Sequence, residues 1–503
     1  MKSIFKAVAV VTIFSVITRL LGFFFRIFLS RKLGAEGLGL YQMATSVLGV
    51  FMTLISSGIP ITTAKLVSKY ESKNDIFRRN KVITSALVIA LAVAIISSLL
   101  ILMLKSVWNV ILSDNRVVEI MIILIPSIIF SAIYAIFHGA LWGQSDYFCC
   151  GLTELLEQII RFALTFILLY KVTDYFIASK NTAIAFNIAC LISAIITIIL
   201  YLRHGKLNFK HGEYRTILKS AAPITGIRLA SSLVQPLTVL IIPTMLILSG
   251  YSQSEAVSSF GIVMGMTFPM LFVPMAIVGS ISMVLIPTIS SMLTKKDYSG
   301  IENNISNTIK ISIFLSMLFI PLYLSVGNLI GIVLYNNIMS GILLQLAAVC
   351  VLPITMSNLT GSILNALNLE IKSFINYIVG SCILFACLII LTPLIGINSI
   401  IVSFFISMSF ITLLNIRIIK KSIPNLQVGF INTSFKYSLI AIPSSLLGHL
   451  IANISLYAFN NFFSAVIGGS VSIISVIILG NTFKIFDFKD LLDLLLKKKH
   501  SKT

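Results

Sequence analysis

Long apolar runs, broken at short intervals by charged or turn-forming residues, set the pattern of this 503-residue chain. A helix needs roughly 20 such residues to cross the hydrocarbon core of a bilayer. Runs of that length predict fourteen spans, at 7–29, 38–59, 82–104, 119–141, 152–170, 182–202, 220–249, 257–287, 305–325, 341–364, 373–392, 398–419, 436–459 and 462–483. The expected fold class is therefore an all-α polytopic membrane protein. Lys2 and Lys6 ahead of the first run superficially resemble a signal peptide. Arg19 interrupts that run and no small-residue cleavage site follows, so it reads as a retained span.

Polar positions inside the runs are the next signal. Arg19 and Arg26 lie seven residues apart, nearly two helical turns, and share a face with Thr12, Ser15, Gly22 and Ser30. No acidic residue stands between them. A charge at bilayer depth costs roughly 2.5–3.5 kcal/mol on insertion scales, so such a stripe is expected to face a water-filled cavity, with snorkelling to a headgroup as the alternative. Uncompensated cations in a cavity point to an anionic substrate. The seventh span carries a second stripe of Thr225, Arg228, Ser232 and Gln235. In the fifth span Glu157 and Arg161 are spaced i, i+4 with the acid first, the favoured order for a helical ion pair, either structural or a gate. Gln42, Ser46, Gly49 and Thr53 line one face of the second span and suit either helix packing or a cavity wall.

Between the runs, basic residues gather on alternate loops. Lys65, Lys69, Lys73, Arg78, Arg79 and Lys81 form one group, and Arg203, Lys206, Lys210, Arg215 and Lys219 another. Arg417, Lys420, Lys421 and Lys436 form a third, and the tail adds more. The positive-inside rule then puts both termini in the cytoplasm. The halves also echo each other: Gly39 and Gly261 stand 222 residues apart, as do Gly139 and Gly361. Each second span ends in a proline, Pro60 and Pro287. The expected organisation is two pseudosymmetric six-helix lobes at 1–202 and 220–421, joined by a basic cytoplasmic linker at 203–219. An appended helix pair at 422–485 and a basic cytoplasmic tail at 486–503 follow. A parallel duplication with its site between lobes is a transporter plan.

Composition narrows the function. With 57% hydrophobic and 11% charged residues, and a mean hydropathy of +1.03, no soluble domain fits. The formal charge of +20 would suggest nucleic acid in a soluble protein, but here it sits in loops, so no nucleic-acid partner is expected. Six cysteines lack metal-ligand spacing and read as packing residues; no metal or cofactor is expected. Phosphate-binding Gly-rich loops, zinc-protease and hydrolase motifs are absent, so the chain is expected to be a transporter and not an enzyme.

Thr18-Arg19-Leu20-Leu21-Gly22-Phe23-Phe24-Phe25-Arg26 is followed by Leu33-Gly34-Ala35-Glu36-Gly37-Leu38-Gly39-Leu40-Tyr41 and then Ser57-Gly58-Ile59-Pro60. Leu156-Glu157-Gln158-Ile159-Ile160-Arg161, Pro223-Ile224-Thr225-Gly226-Ile227-Arg228 and Asn365-Ala366-Leu367-Asn368-Leu369 come later. These stretches together resemble the stage V sporulation protein B group of polysaccharide flippases. The resemblance implies the multidrug/oligosaccharidyl-lipid/polysaccharide exporter superfamily. By it, Arg19 and Arg26 engage a lipid-linked pyrophosphate and Arg228 adds charge from the second lobe. Where the family has an arginine after its fourth span, this chain has His138, which joins Gln42 and Gln235 as a candidate cavity-lining residue. The implied function is flipping of an undecaprenyl-pyrophosphate-linked glycan, a lipid II-type peptidoglycan precursor first among them, from inner to outer leaflet by alternating access. Export of another polysaccharide repeat unit, or cation-coupled multidrug export in the same fold, is the alternative. The expected setting is a monomer in the bacterial cytoplasmic membrane, driven by the membrane potential, with phospholipid and cell-wall synthesis enzymes as candidate partners.

Overall fold

The structure is a computed structural model that describes residues 2–203, 205–208, 212–423 and 430–483. The expected basic tail at 486–503 and parts of the 203–219 linker, Lys210 among them, lie outside the described residues. Every regular element among the described residues is helical.

The chain forms two compact units, Met1–Gly261 and Ile262–Thr503. The first contains α1 (Lys2–Ser56), α2 (Gly58–Glu71), α3 (Ile76–Met103), α4 (Lys105–Ile111), α5 (Asn115–Gly143) and α6 (Tyr147–Leu168). It continues with α7 (Tyr175–Leu202), α8 (Tyr214–Ser232), α9 (Val234–Leu248) and α10 (Gln253–Phe260). A π-helical turn at Gly261–Thr267 follows. The second unit holds α11 (Phe268–Thr294), α12 (Tyr298–Tyr335), α13 (Ile338–Ala347), α14 (Val351–Ala366), α15 (Glu370–Ile395), α16 (Asn398–Ser422), α17 (Phe430–Ser455) and α18 (Asn461–Thr482).

Twelve helical segments among the described residues are long and apolar enough to cross a membrane. The first of them, Val10–Glu71, holds two spans, because α1 is divided at Gly34. Gly34 has φ 63° and ψ −173°, a conformation open in practice only to glycine. Outside the dozen, α6 is 22 residues long and carries Glu154, Glu157 and Arg161. Counting both legs of α1, and α6, recovers the fourteen runs of the sequence. Four runs are split. The second breaks at Ser57, between α1 and α2. The seventh breaks after Ser232, four residues before Pro236, whose missing N–H leaves that carbonyl unbonded. The eighth passes through the π-helical turn before Pro269, and the tenth through a short 3-10 segment, Ala348–Cys350.

The internal repeat leads one to expect a division at 203–219, whereas the compact units divide at Gly261. Linker and α8 are tied to the first unit: the Asn208 N–H donates to Thr84 Oγ1 at 2.9 Å, and the Glu213 N–H to Ser85 Oγ at 3.0 Å. The second leg of α1 crosses α10 at the two glycines of the 222-residue offset. A Cβ on Gly39 would fall on the Val257 carbonyl oxygen, and one on Gly261 on the Ala35 carbonyl oxygen. Val257 lies 222 residues after Ala35, so the contact is reciprocal, as a local two-fold demands. Within the second unit, α17 and α18 dock on α12 through small residues, with Gly448 against Ser325 and Ser472, and Gly468 against Ala452.

Candidate functional site

The site is built around α2. At its start Gly58 meets the Ala221 carbonyl and Thr225 Oγ1 of α8, so no side chain keeps the two helices apart. On its other side, the places where Cβ atoms of Gly139 and Gly143 would sit lie 2.8 Å from the Pro60 oxygen and 2.6 Å from the Ala64 oxygen. Helices this close put the next residues of each around a common space. Arg228 follows Thr225 by three positions, Lys65 follows Ala64, and His138 and Trp142 precede the two glycines. They line a cavity of about 600 Å³ with Ser68 and Tyr147. Two full positive charges, Lys65 and Arg228, face it, and no aspartate or glutamate is among its lining residues.

Aromatic rings form the α5 wall. Tyr134, His138 and Trp142 recur every four residues on one helical face. Tyr134 stacks on His138 at 5.3 Å between centroids, and His138 lies 6.3 Å from Trp142. Tyr147 meets Trp142 edge-on at 5.3 Å. His138 Nε2 stands 3.4 Å from Glu154 Oε1, within ion-pair distance but outside hydrogen-bond geometry.

Farther along α6, Glu157 and Arg161 are in ion-pair contact, each side chain about one-fifth exposed. The Arg161 guanidinium sits 4.5 Å above the Phe186 ring. Its Nε and the neighbouring Gln158 Oε1 are buried without a hydrogen-bond partner. The first leg of α1 packs on α6 through Phe14, Phe25 and Phe28 against Phe148 and Phe162. Arg19 and Arg26 lie off that packed face and are exposed. Gln235 donates from Nε2 to Ser46 Oγ at 3.3 Å, one turn beyond half-buried Gln42.

Of the residues singled out in the sequence, the cavity joins Arg228 and His138; Arg19 and Arg26 are not among its lining residues. Lys65, Trp142 and Tyr147 were not legible as site residues. Lys65 reads as a loop cation because apolarity stops near Ile59, yet α2 continues to Glu71. Its helical periodicity, with buried Thr63, Val67 and Tyr70 opposite exposed Lys65 and Ser68, is the signal that could have found it.

Carboxylates have other work. Each of the five aspartates among the described residues caps a helix N-terminus: Asp75, Asp114, Asp146, Asp174 and Asp297. Glu36, Glu71 and Glu119 pair with Arg116, Arg79 and Lys180 at 2.6–2.8 Å.

With this geometry in hand, comparison with known proteins is informative. The profile of the family described as "Polysaccharide biosynthesis protein" matches residues 4–293. Stage V sporulation protein B of Bacillus subtilis (strain 168) is 22% identical over 423 residues, 81% of this chain and 82% of that protein. Among solved structures, lipid II flippase MurJ in an inward closed conformation is similar with a TM-score of 0.69. It is 16% identical, over 96% of this chain and 99% of that one. An inward-facing multidrug resistance MATE family transporter of the MOP superfamily is similar with a TM-score of 0.68, at 14% identity, over 82% and 95%. At these identities the structural likeness is one of fold.

Proposed function

The chain belongs to the polysaccharide biosynthesis protein family, and on that premise we propose that it is a flippase for a lipid-linked, pyrophosphate-bearing glycan. It moves its cargo from the inner to the outer leaflet of the bacterial cell membrane by alternating access, and it is a transporter, not an enzyme. The observation that carries this reading is the cavity whose two full charges, Lys65 and Arg228, meet no carboxylate among its lining residues. A phosphate diester of an amphiphile fits such a space, and arginine's planar fork suits phosphate oxygens. Arg19 and Arg26 extend the same chemistry: both are exposed on the first leg of α1, and an arginine at bilayer depth, at a cost of roughly 2.5–3.5 kcal/mol, commonly lines a substrate path. In this reading they take the pyrophosphate at another stage of its passage.

The finer assignments go with it. A lipid II-type peptidoglycan precursor is the leading cargo, with another polysaccharide repeat unit as the alternative. Both termini are cytoplasmic, the protein works as a monomer, and cell-wall synthesis enzymes supply or consume the cargo. Glu157 and Arg161 serve as a gating pair, and Gln42 and Gln235 line the path. Cation-coupled drug export is disfavoured by charge: every described aspartate is committed to a helix cap, and the cavity holds cations.

Purified protein in phospholipid vesicles, loaded with fluorescent lipid-linked precursor, tests the proposal. Time-dependent exposure of the label to an external enzyme or quencher is expected. No exposure above protein-free vesicles, for peptidoglycan and other polyprenyl-pyrophosphate glycans alike, would sink it.

A further inference from the structure

The walls of the first unit's cavity differ in chemistry. Lys65 and Arg228, on α2 and α8, bring positive charge, while α5 and α6 supply the rings of His138, Trp142 and Tyr147. Phosphate is held by charge and by donors, which the faces of Trp142 and Tyr147 do not offer, so that wall suits another part of the cargo. Resting on the flippase reading, we infer that Trp142, Tyr147 and His138 form a sugar subsite, which takes the hexose ring next to the pyrophosphate.

Two observations support it. Trp142 is 42% exposed and lines the cavity with the two cations. Its ring is also held from two sides, by Tyr147 edge-on at 5.3 Å and by His138 at 6.3 Å. A flat apolar surface fixed in advance loses little entropy when the apolar face of a sugar ring settles on it. A cavity of about 600 Å³ is within the range of small-ligand pockets.

Binding to the purified protein in nanodiscs separates this inference from the flippase reading. The probes are a polyprenyl pyrophosphate carrying one N-acetylhexosamine and the same lipid without sugar. The chain has two tryptophans, Trp108 and Trp142, so Trp108→Phe leaves Trp142 as the sole indole reporter. Its emission is expected to shift with the sugar lipid and not with the bare one. Trp142→Ala is expected to weaken the sugar lipid about tenfold, the equivalent of about 1.4 kcal/mol, and the bare lipid less than about twofold. Trp142→Phe, which keeps a ring, is expected to retain most of the affinity. Equal loss for both lipids, or wild-type protein that binds both equally, would overturn the sugar subsite and leave the flippase reading standing. Wild-type protein that binds neither lipid would overturn both.

Discussion

Arg228 and Lys65 differ in what they can do for a phosphate. The guanidinium offers a rigid fork of donors, whereas the ammonium is a point charge on a flexible stem. Arg228→Ala is therefore expected to reduce translocation at least about tenfold, and Arg228→Lys to restore only part, in the vesicle assay with expression unchanged; a few tenths of a kcal/mol would be too small an effect for a phosphate contact. Arg19→Ala is expected to abolish flipping in the same assay. Glu157 and Arg161 pose a different question because each is the other's partner. Removing one member of this half-buried pair strands the other, at a cost below the roughly 3–5 kcal/mol of a fully buried pair, so either single substitution is expected to hurt. The charge-swapped double variant is expected to recover part of the loss. A double-mutant cycle measures this: additive losses would mean independent roles.

At the scale of elements, the crossing of α1 on α10 depends on what two glycines lack. At Gly39 and Gly261 the obstacle is a backbone carbonyl, which cannot swing aside as a side chain can. Gly261→Val is expected to destabilise by about 1–3 kcal/mol through overpacking. Gly49 in the same leg of α1 has nothing within 4 Å of where its Cβ would be. Gly49→Ala is expected to stabilise by about 0.5–1 kcal/mol, since a helix-interior glycine is entropically costly. Thermal unfolding in detergent compares the two, and equal effects of the same sign would show that the crossing is not tight. The π-helical turn of the eighth run begins at Gly261, beside this crossing, an irregularity that suits a chain whose helices must bend during transport.

For the whole molecule the question is energy. The chain has no nucleotide-binding motif, and the proposed cargo is an anion moving outward from an inside-negative cytoplasm. Each elementary charge crossing 100 mV gains about 2.3 kcal/mol, so a doubly charged pyrophosphate gains roughly 4–5 kcal/mol over the whole field. Arg228 and Lys65 in the cavity offset part of that charge on the outward stroke, and their return when empty is opposed by the field. Vesicles with an imposed potassium-diffusion potential are expected to transport faster when the donor side is negative. A rate indifferent to the sign of the potential would leave ion exchange as the driving force.

The sequence by itself determined the membrane character, the number of spans and the sign of the charge those spans carry. Those properties are local: a 20-residue apolar run forms a helix wherever it lies, because in hydrocarbon the backbone must satisfy its own hydrogen bonds. The i, i+4 spacing of Glu157 and Arg161 likewise brought them onto one face before any tertiary contact. The 222-residue repeat was legible too, but not that its glycines at 39 and 261 touch. Only the tertiary structure decided which polar residues share a space. Gly58, Gly139 and Gly143 draw α8 and α5 onto α2, and this close approach, invisible to periodicity, turns Lys65 and Trp142 from a loop cation and a span-end ring into walls of one cavity. The same packing leaves Arg19 and Arg26 exposed and away from it, because the phenylalanines of α1 claim the face toward α6. Apolar length is written along the chain; convergence depends on where backbones can touch.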